Sequence, residues 1–162
     1  MEGRPLRLPP KIKVLEAAGS IADGRVRVLE DRGSKVVAVV ESSMGDRSYN
    51  VVIEITGPKS IVASSDDNGT RFRGYIGYPI ISLLMIKGLI PRDQEVEEAL
   101  KGIPWRVLNE RYKSYERVLE EIIVRVKATR GERLVSKVRD YMENVMNILS
   151  KYEVYSRGGS SS

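Results

Sequence analysis

Tyr49-Asn50-Val51-Val52-Ile53-Glu54-Ile55-Thr56-Gly57-Pro58-Lys59-Ser60-Ile61-Val62-Ala63 is the stretch that decides the fold class. Tyr49, Val51, Ile53 and Ile55 fall on one face at period two, the repeat of a half-buried β-strand. Gly57-Pro58 ends that strand, and Ser60 to Ala63 reads as a short partner. Upstream, Arg25 to Leu29 alternates, and Lys35 to Val40 is a β-branched run after an Arg-Gly turn. Ser43-Met44-Gly45-Asp46 marks the next turn. Together these segments predict a four-stranded antiparallel meander.

Downstream the text changes character. Residues 64–77 are polar loop chemistry with three glycines, and Pro79 suits the first position of a helix, where its missing N–H costs nothing. The helix from Pro79 to Lys87 is apolar almost all round and belongs against the sheet. Gly88 and Pro91 close it. Asp93 caps a short helix to Lys101. Leu108, Tyr112, Tyr115, Leu119, Ile122 and Val126 are then spaced 4, 3, 4, 3, 4, and Leu134, Val138, Tyr141, Val145, Ile148 and Tyr152 repeat that spacing. Thr129-Arg130-Gly131-Glu132 separates the two seams, which predicts an antiparallel helical hairpin. Its apolar stripe is wider than the strict seam, so a second subunit or the sheet must cover it, and a homodimer is one expectation.

The expected fold is therefore α+β, a small antiparallel sheet packed on a buried helix and followed by a hairpin. Residues 1–24 form an extended arm with a short helix (Lys11 to Asp23), residues 25–91 the sheet-plus-helix module, and residues 92–155 the hairpin. Residues 156–162, only Arg, Gly and Ser, read as a disordered tail.

Composition narrows the chemistry. The 162 residues contain neither cysteine nor histidine, which removes disulfides, Cys/His zinc sites, thiol nucleophiles and imidazole bases. The net charge of +5 permits a nucleic-acid partner without demanding one. No apolar run approaches the ~20 residues of a membrane span, and the first ten residues lack an apolar signal core, so a cytoplasmic protein is expected. Abundant Ile, Val, Glu, Arg and Lys with a single Gln leans towards a thermophile.

Gly24-Arg25-Val26-Arg27-Val28, Tyr49-Asn50-Val51-Val52-Ile53 and Ile80-Ile81-Ser82-Leu83-Leu84-Met85, in that order, resemble the framework of a SWIM domain, a compact zinc module. The resemblance covers residues 25–87. The family's Cys-x-Cys falls near Ala63-Ser64-Ser65 and its Cys-x-His on Gly77-Tyr78-Pro79, so any kinship is to a degenerate, metal-free form. It implies a binding module with DNA or protein partners, a RecA-family recombinase paralogue among them, and no cofactor.

Two groups of residues are candidates for contact with a nucleic acid, DNA or RNA. Arg71 and Arg73, with Gly74 and Gly77, offer forked donors and close backbone approach before the Pro79 helix, whose N-terminus favours an anion. Tyr75 and Tyr78 flank that site. The other reading pairs these arginines with Asp66 and Asp67 in a tight turn. The second group is the hairpin stripe, Arg130, Arg133 and Lys137 at its tip, within a span from Lys101 to Arg139 that holds 11 Lys/Arg and 5 Glu. The stripe tracks a phosphate backbone or is a solvated face of local ion pairs. The seam tyrosines read as packing. The sequence carries no phosphate-loop motif and no catalytic motif. The leading expectation is a non-catalytic nucleic-acid-binding module. A protein-interaction or homodimerisation module follows, and a small enzyme acting on an anionic substrate at the 66–79 loop is third.

Overall fold

The computed structural model describes residues 2–157. Strands β1 (Glu2–Pro5), β2 (Val26–Asp31), β3 (Lys35–Glu41), β4 (Ser48–Gly57), β5 (Ser60–Ser65) and β6 (Glu153–Arg157) form one sheet in the order β1-β6-β5-β4-β3-β2. β2 to β5 are the expected antiparallel meander, with Val36 opposite Ile53 and Ile53 opposite Ala63. Among the described strands β5 and β6 are the parallel pair, Ile61 beside Val154. Alternation puts Val36, Ala38, Val40, Val51 and Ile53 on the buried face, while Val37, Val39 and Val52 on the other face are half-buried.

Helix α2 (Tyr78–Ile86) lies on β3, β4 and β5. Every side chain from Tyr78 to Met85 is buried, which its unbroken apolar text requires, and Ser82 satisfies its hydroxyl by donating to Pro79 O at 2.7 Å. Helix α1 (Ile12–Ala22) packs on α2. Over α1 lie α3 (Gln94–Ala99), α5 (Tyr115–Arg130) and α6 (Glu132–Leu149), with α4 (Trp105–Tyr112) beside α5. Sheet and helices share one continuous hydrophobic core. The apolar faces of α5 and α6, including Val118, Ile122, Val138 and Val145, are covered within the chain.

Gly19 permits a close contact between α1 and Trp105 of α4. A Cβ there would meet Trp105 Nε1 at 2.7 Å, so glycine makes room for the indole against α1. Among the described residues, Trp105 Nε1 is one of the buried side-chain atoms without a hydrogen-bond partner.

Three boundaries differ from the sequence expectation. The seam from Leu108 to Val126 is broken between α4 and α5. Lys113 turns left-handed (φ 53°), and Ser114 starts a new helix by accepting from Arg117 N at 3.3 Å. Tyr152 lies beyond α6, its hydroxyl donating to Leu89 O. The expected disordered tail begins too early, because Ser156 and Arg157 belong to β6, paired with β1. Residues 158–162 lie outside the described residues. The short helix begins at Asp93 as read, its carboxylate accepting from Val96 N at 3.1 Å.

Candidate functional site

The polar segment after β5 is organised by one buried carboxylate. Asp67 accepts from the Ser65 hydroxyl, from Thr70 N at 3.1 Å and from Thr70 Oγ1 at 2.9 Å. Thr70 Oγ1 in turn accepts from Gly77 N at 3.1 Å. The end of β5 and the start of α2 are thus tied through Asp67 and Thr70. Gly77 is the N-cap of α2, and a Cβ on it would fall 2.2 Å from Asp67 Oδ2. The anion beside this helix terminus is therefore the chain's own carboxylate, which occupies the place the sequence reading offered to a phosphate. Asp66 accepts from Asn50 N at 2.8 Å and Asn50 Nδ2 at 3.1 Å. Neither aspartate pairs with Arg71 or Arg73, so the expected ion pairs inside the turn do not form.

Unpaired with the aspartates, both arginines are exposed. Gly69–Arg73 winds as a single π-helical turn, ended by left-handed Gly74 (φ 72°). Between the arginines stands Phe72, the chain's single phenylalanine, 73% exposed. The Arg71 guanidinium lies 5.2 Å from the centre of its ring. The N-terminal strand completes this knuckle. Arg7 N donates to Gly74 O at 2.9 Å, Ile76 N donates to Arg7 O at 3.0 Å, and the Arg7 guanidinium caps the Arg73 carbonyl. Arg4, Arg7, Arg71 and Arg73 line one groove with Phe72 and Gly74. Among the described residues none of these four arginines has a carboxylate within ion-pair distance.

Tyr75 and Tyr78, expected beside the strand-binding surface, are buried. The Tyr75 hydroxyl meets that of Tyr115 at 3.2 Å, and Tyr78 packs edge-on to Tyr49 with ring centres 6.3 Å apart. They are walls of a cavity behind the knuckle, and their rings are not available for stacking from outside. Gly69 exists to admit Tyr75, since a Cβ there would sit 2.3 Å from its ring.

The hairpin cations are spent on the fold. Arg133 bonds Glu95 Oε2 at 2.7 Å, and Lys137 pairs with Glu95 and with Asp93 at 3.6 Å. Arg130 reaches the Glu98 carbonyl at 3.4 Å. Hydrogen bonds from Arg133 and Lys137 hold the Glu95 carboxyl at about 2, well below the usual carboxylate range. These contacts fasten α6 to α3. Arg133 and Lys137 therefore do not join the knuckle in one surface.

The sequence reading missed Arg4, whose place beside residues 71–73 depends on β1 joining the far edge of the sheet, and Arg7, held there by backbone bonds to Gly74 and Ile76. It also missed Lys13 and Glu16 of α1, a buried ion pair at 2.9 Å. Burial works against the Lys13 charge, yet Glu16 outweighs it and the ammonium titrates above its ordinary value. The signal was present as oppositely charged residues three apart, with Glu16 four residues beyond Ile12 on an otherwise apolar face. Among the described residues no three carboxylates converge as a metal site would need, and no helix is long and apolar enough to cross a membrane.

Over residues 6–155 the chain matches the family described as uncharacterised conserved protein UCP014422, and it belongs to that family. No curated protein and no solved structure matches it.

Proposed function

We propose that this member of the family is a non-catalytic nucleic-acid-binding module, and that a single strand crosses the knuckle formed by Arg71, Phe72 and Arg73. One observation carries the reading: four arginines without carboxylate partners among the described residues line a groove with a phenylalanine left 73% exposed. Guanidinium groups fork onto phosphate oxygens, and an exposed ring stacks on a base of any sequence. Arg106, Arg125, Arg133 and Lys137 of the helical layer already face glutamates or aspartates, which sets the knuckle arginines apart from them. The SWIM-like order of strands and helix supports the same class of partner, and a RecA-family recombinase paralogue as a second one. Cytoplasmic residence belongs to this reading.

Fluorescence anisotropy of a labelled single strand, titrated across salt, tests the proposal. Each arginine changed to alanine lowers the slope of log affinity against log salt by about one, and does so for all sequences alike. Phe72→Ala weakens single strands by ~1–3 kcal/mol and duplex far less. Absence of binding at ~50 mM salt, or an Arg71→Ala/Arg73→Ala variant that melts and binds as the parent does, refutes it.

A further inference from the structure

Behind the knuckle a cavity of about 230 Å³ opens between α1, the β3–β4 turn, the segment around Asp67 and the α4–α5 corner. Its wall is crowded with charge, and the charges do not cancel locally. Each carboxylate there is already engaged. Glu16 holds the Lys13 ammonium, Asp67 is saturated by Ser65 and Thr70, and Glu110 accepts from Arg106 at 3.1 Å. Two guanidinium groups of the same wall, Arg47 and Arg73, have no carboxylate partner among the described residues. The other polar groups are neutral. The Tyr75 and Tyr115 hydroxyls share one hydrogen bond at 3.2 Å, which leaves a hydroxyl hydrogen or lone pairs for a guest. Burial pushes the hydroxyls of Tyr75 and Tyr78 upwards from their ordinary value, so they stay protonated donors at neutral pH. The wall's cations, Lys13, Arg47, Arg73 and Arg106, outnumber its carboxylates, Glu16, Asp67 and Glu110, and among the described residues Arg47 and Arg73 are the two left without one.

We infer that the cavity binds a phosphate monoester, held between Arg47 and Arg73 with neutral donation from the Tyr75–Tyr115 pair. A carboxylate is satisfied by one guanidinium fork, whereas a phosphate monoester near neutral pH brings close to two charges and three acceptor oxygens. Two unpaired guanidiniums and a set of neutral hydroxyls match the second guest. The volume lies below the ~300–1,000 Å³ of pockets that enclose drug-sized ligands, so the guest is a phosphate on a sugar-sized body. That body is a free sugar phosphate or the phosphorylated end of a strand. Arg73 also lines the knuckle groove, so the two sites share one side chain.

Titration calorimetry of the full chain with ribose 5-phosphate, and with ribose as the uncharged control, tests this. Ribose 5-phosphate gives saturable heat at millimolar concentration or below, and ribose gives none. Arg47→Ala, at an exposed position, melts as the parent does and weakens ribose 5-phosphate about tenfold or more, since hydrogen bonds to charged groups contribute ~1.5–3 kcal/mol. Tyr115→Phe, which removes one hydroxyl of the pair, weakens it less. A 5′-phosphorylated dinucleotide compared with its 5′-hydroxyl form identifies the source. Tighter binding than ribose 5-phosphate, with a strong dependence on the 5′-phosphate, assigns a strand end, and weaker binding assigns a free sugar phosphate. No heat up to ~10 mM, equal heat from ribose, or unchanged binding by Arg47→Ala overturns the inference. Arg71 touches the knuckle and not the cavity. A chain that binds ribose 5-phosphate but no strand therefore sinks the nucleic-acid reading alone, and the reverse result sinks this one alone.

Discussion

Gly77→Ala should be among the most damaging single-methyl additions to this chain, and the structure says why. The new Cβ would lie 2.2 Å from Asp67 Oδ2 and 2.6 Å from Oδ1. Backbone strain contributes nothing, because Gly77 is extended (φ −73°, ψ 162°), a conformation any residue adopts. The carboxylate must retreat by about an ångström to reach ordinary contact, and three hydrogen bonds pin it. Hydrogen bonds to a charged group contribute ~1.5–3 kcal/mol each, so losing two of the three costs about 3 kcal/mol or more. For a chain of this size that lowers the melting temperature by roughly 6–12 °C. Guanidinium denaturation of the wild type, Gly77→Ala, Asp67→Ala and the double variant closes a cycle. The clash requires Asp67, so the cost of the methyl should nearly vanish in the Asp67→Ala background. A Gly77→Ala cost below ~1 kcal/mol, within reach of an ordinary surface substitution, would refute the account. So would a cost that persists undiminished without Asp67. Because this contact sets the path of the knuckle, the methyl should also weaken strand binding.

The charge contacts of Glu95 and the buried pair give two further expectations. Glu95 is held at about 2, below its unfolded value, so its contribution is complete above pH ~4.5 and is lost as pH falls through about 2. Urea midpoints measured across that window should fall more steeply for the wild type than for Glu95→Gln, and parallel curves would show that Arg133 and Lys137 hold α6 by other means. Glu16→Gln strands the Lys13 ammonium in a site where its side chain is 13% exposed, at a cost of ~3–5 kcal/mol. Replacing the pair by Lys13→Met with Glu16→Leu should recover most of that in denaturant unfolding, and no recovery would mean the loss comes from packing.

What the sequence disclosed follows the range of each interaction. Period-two alternation in β4, the all-apolar text of α2 and the Asp93 cap are local patterns, and each is present where the residues place it. The break at Lys113 was hidden because a lysine carries no signal for a left-handed turn, and the 4, 3, 4 spacing runs across it undisturbed. β6 was hidden for another reason. Glu153-Val154-Tyr155-Ser156-Arg157 is short and mostly polar, and becomes a strand only because β5 and β1 stand on either side. The site divides likewise. Arg71, Arg73, Gly74 and Gly77 are neighbours in the chain and were legible as a cluster. Arg7 lies 66 positions from Arg73 and meets it only in the folded chain, through backbone bonds to Gly74 and Ile76. Asp67 looked like a turn residue with an arginine partner, and its burial under Gly77 is a tertiary fact.

The parallel contact between β5 and β6 governs the order of assembly during synthesis. Ile61 cannot meet Val154 until the intervening helices have been made and α6 has turned the chain back. The meander can close as soon as β5 is complete, since each of its strands pairs with its neighbour in sequence. Through all the time needed to make residues 66–152, β5 is therefore a bare sheet edge carrying Ile61, Val62 and Ala63, the kind of edge that recruits other chains. β1 waits longer still, because β6, the strand it pairs with, follows α6 in the chain. Part of the knuckle waits with it. Arg7 can bond Gly74 and Ile76 directly, but Arg4 sits in β1 and is held in place only once β6 pairs with that strand, so a chain still lacking β6 carries the knuckle incomplete.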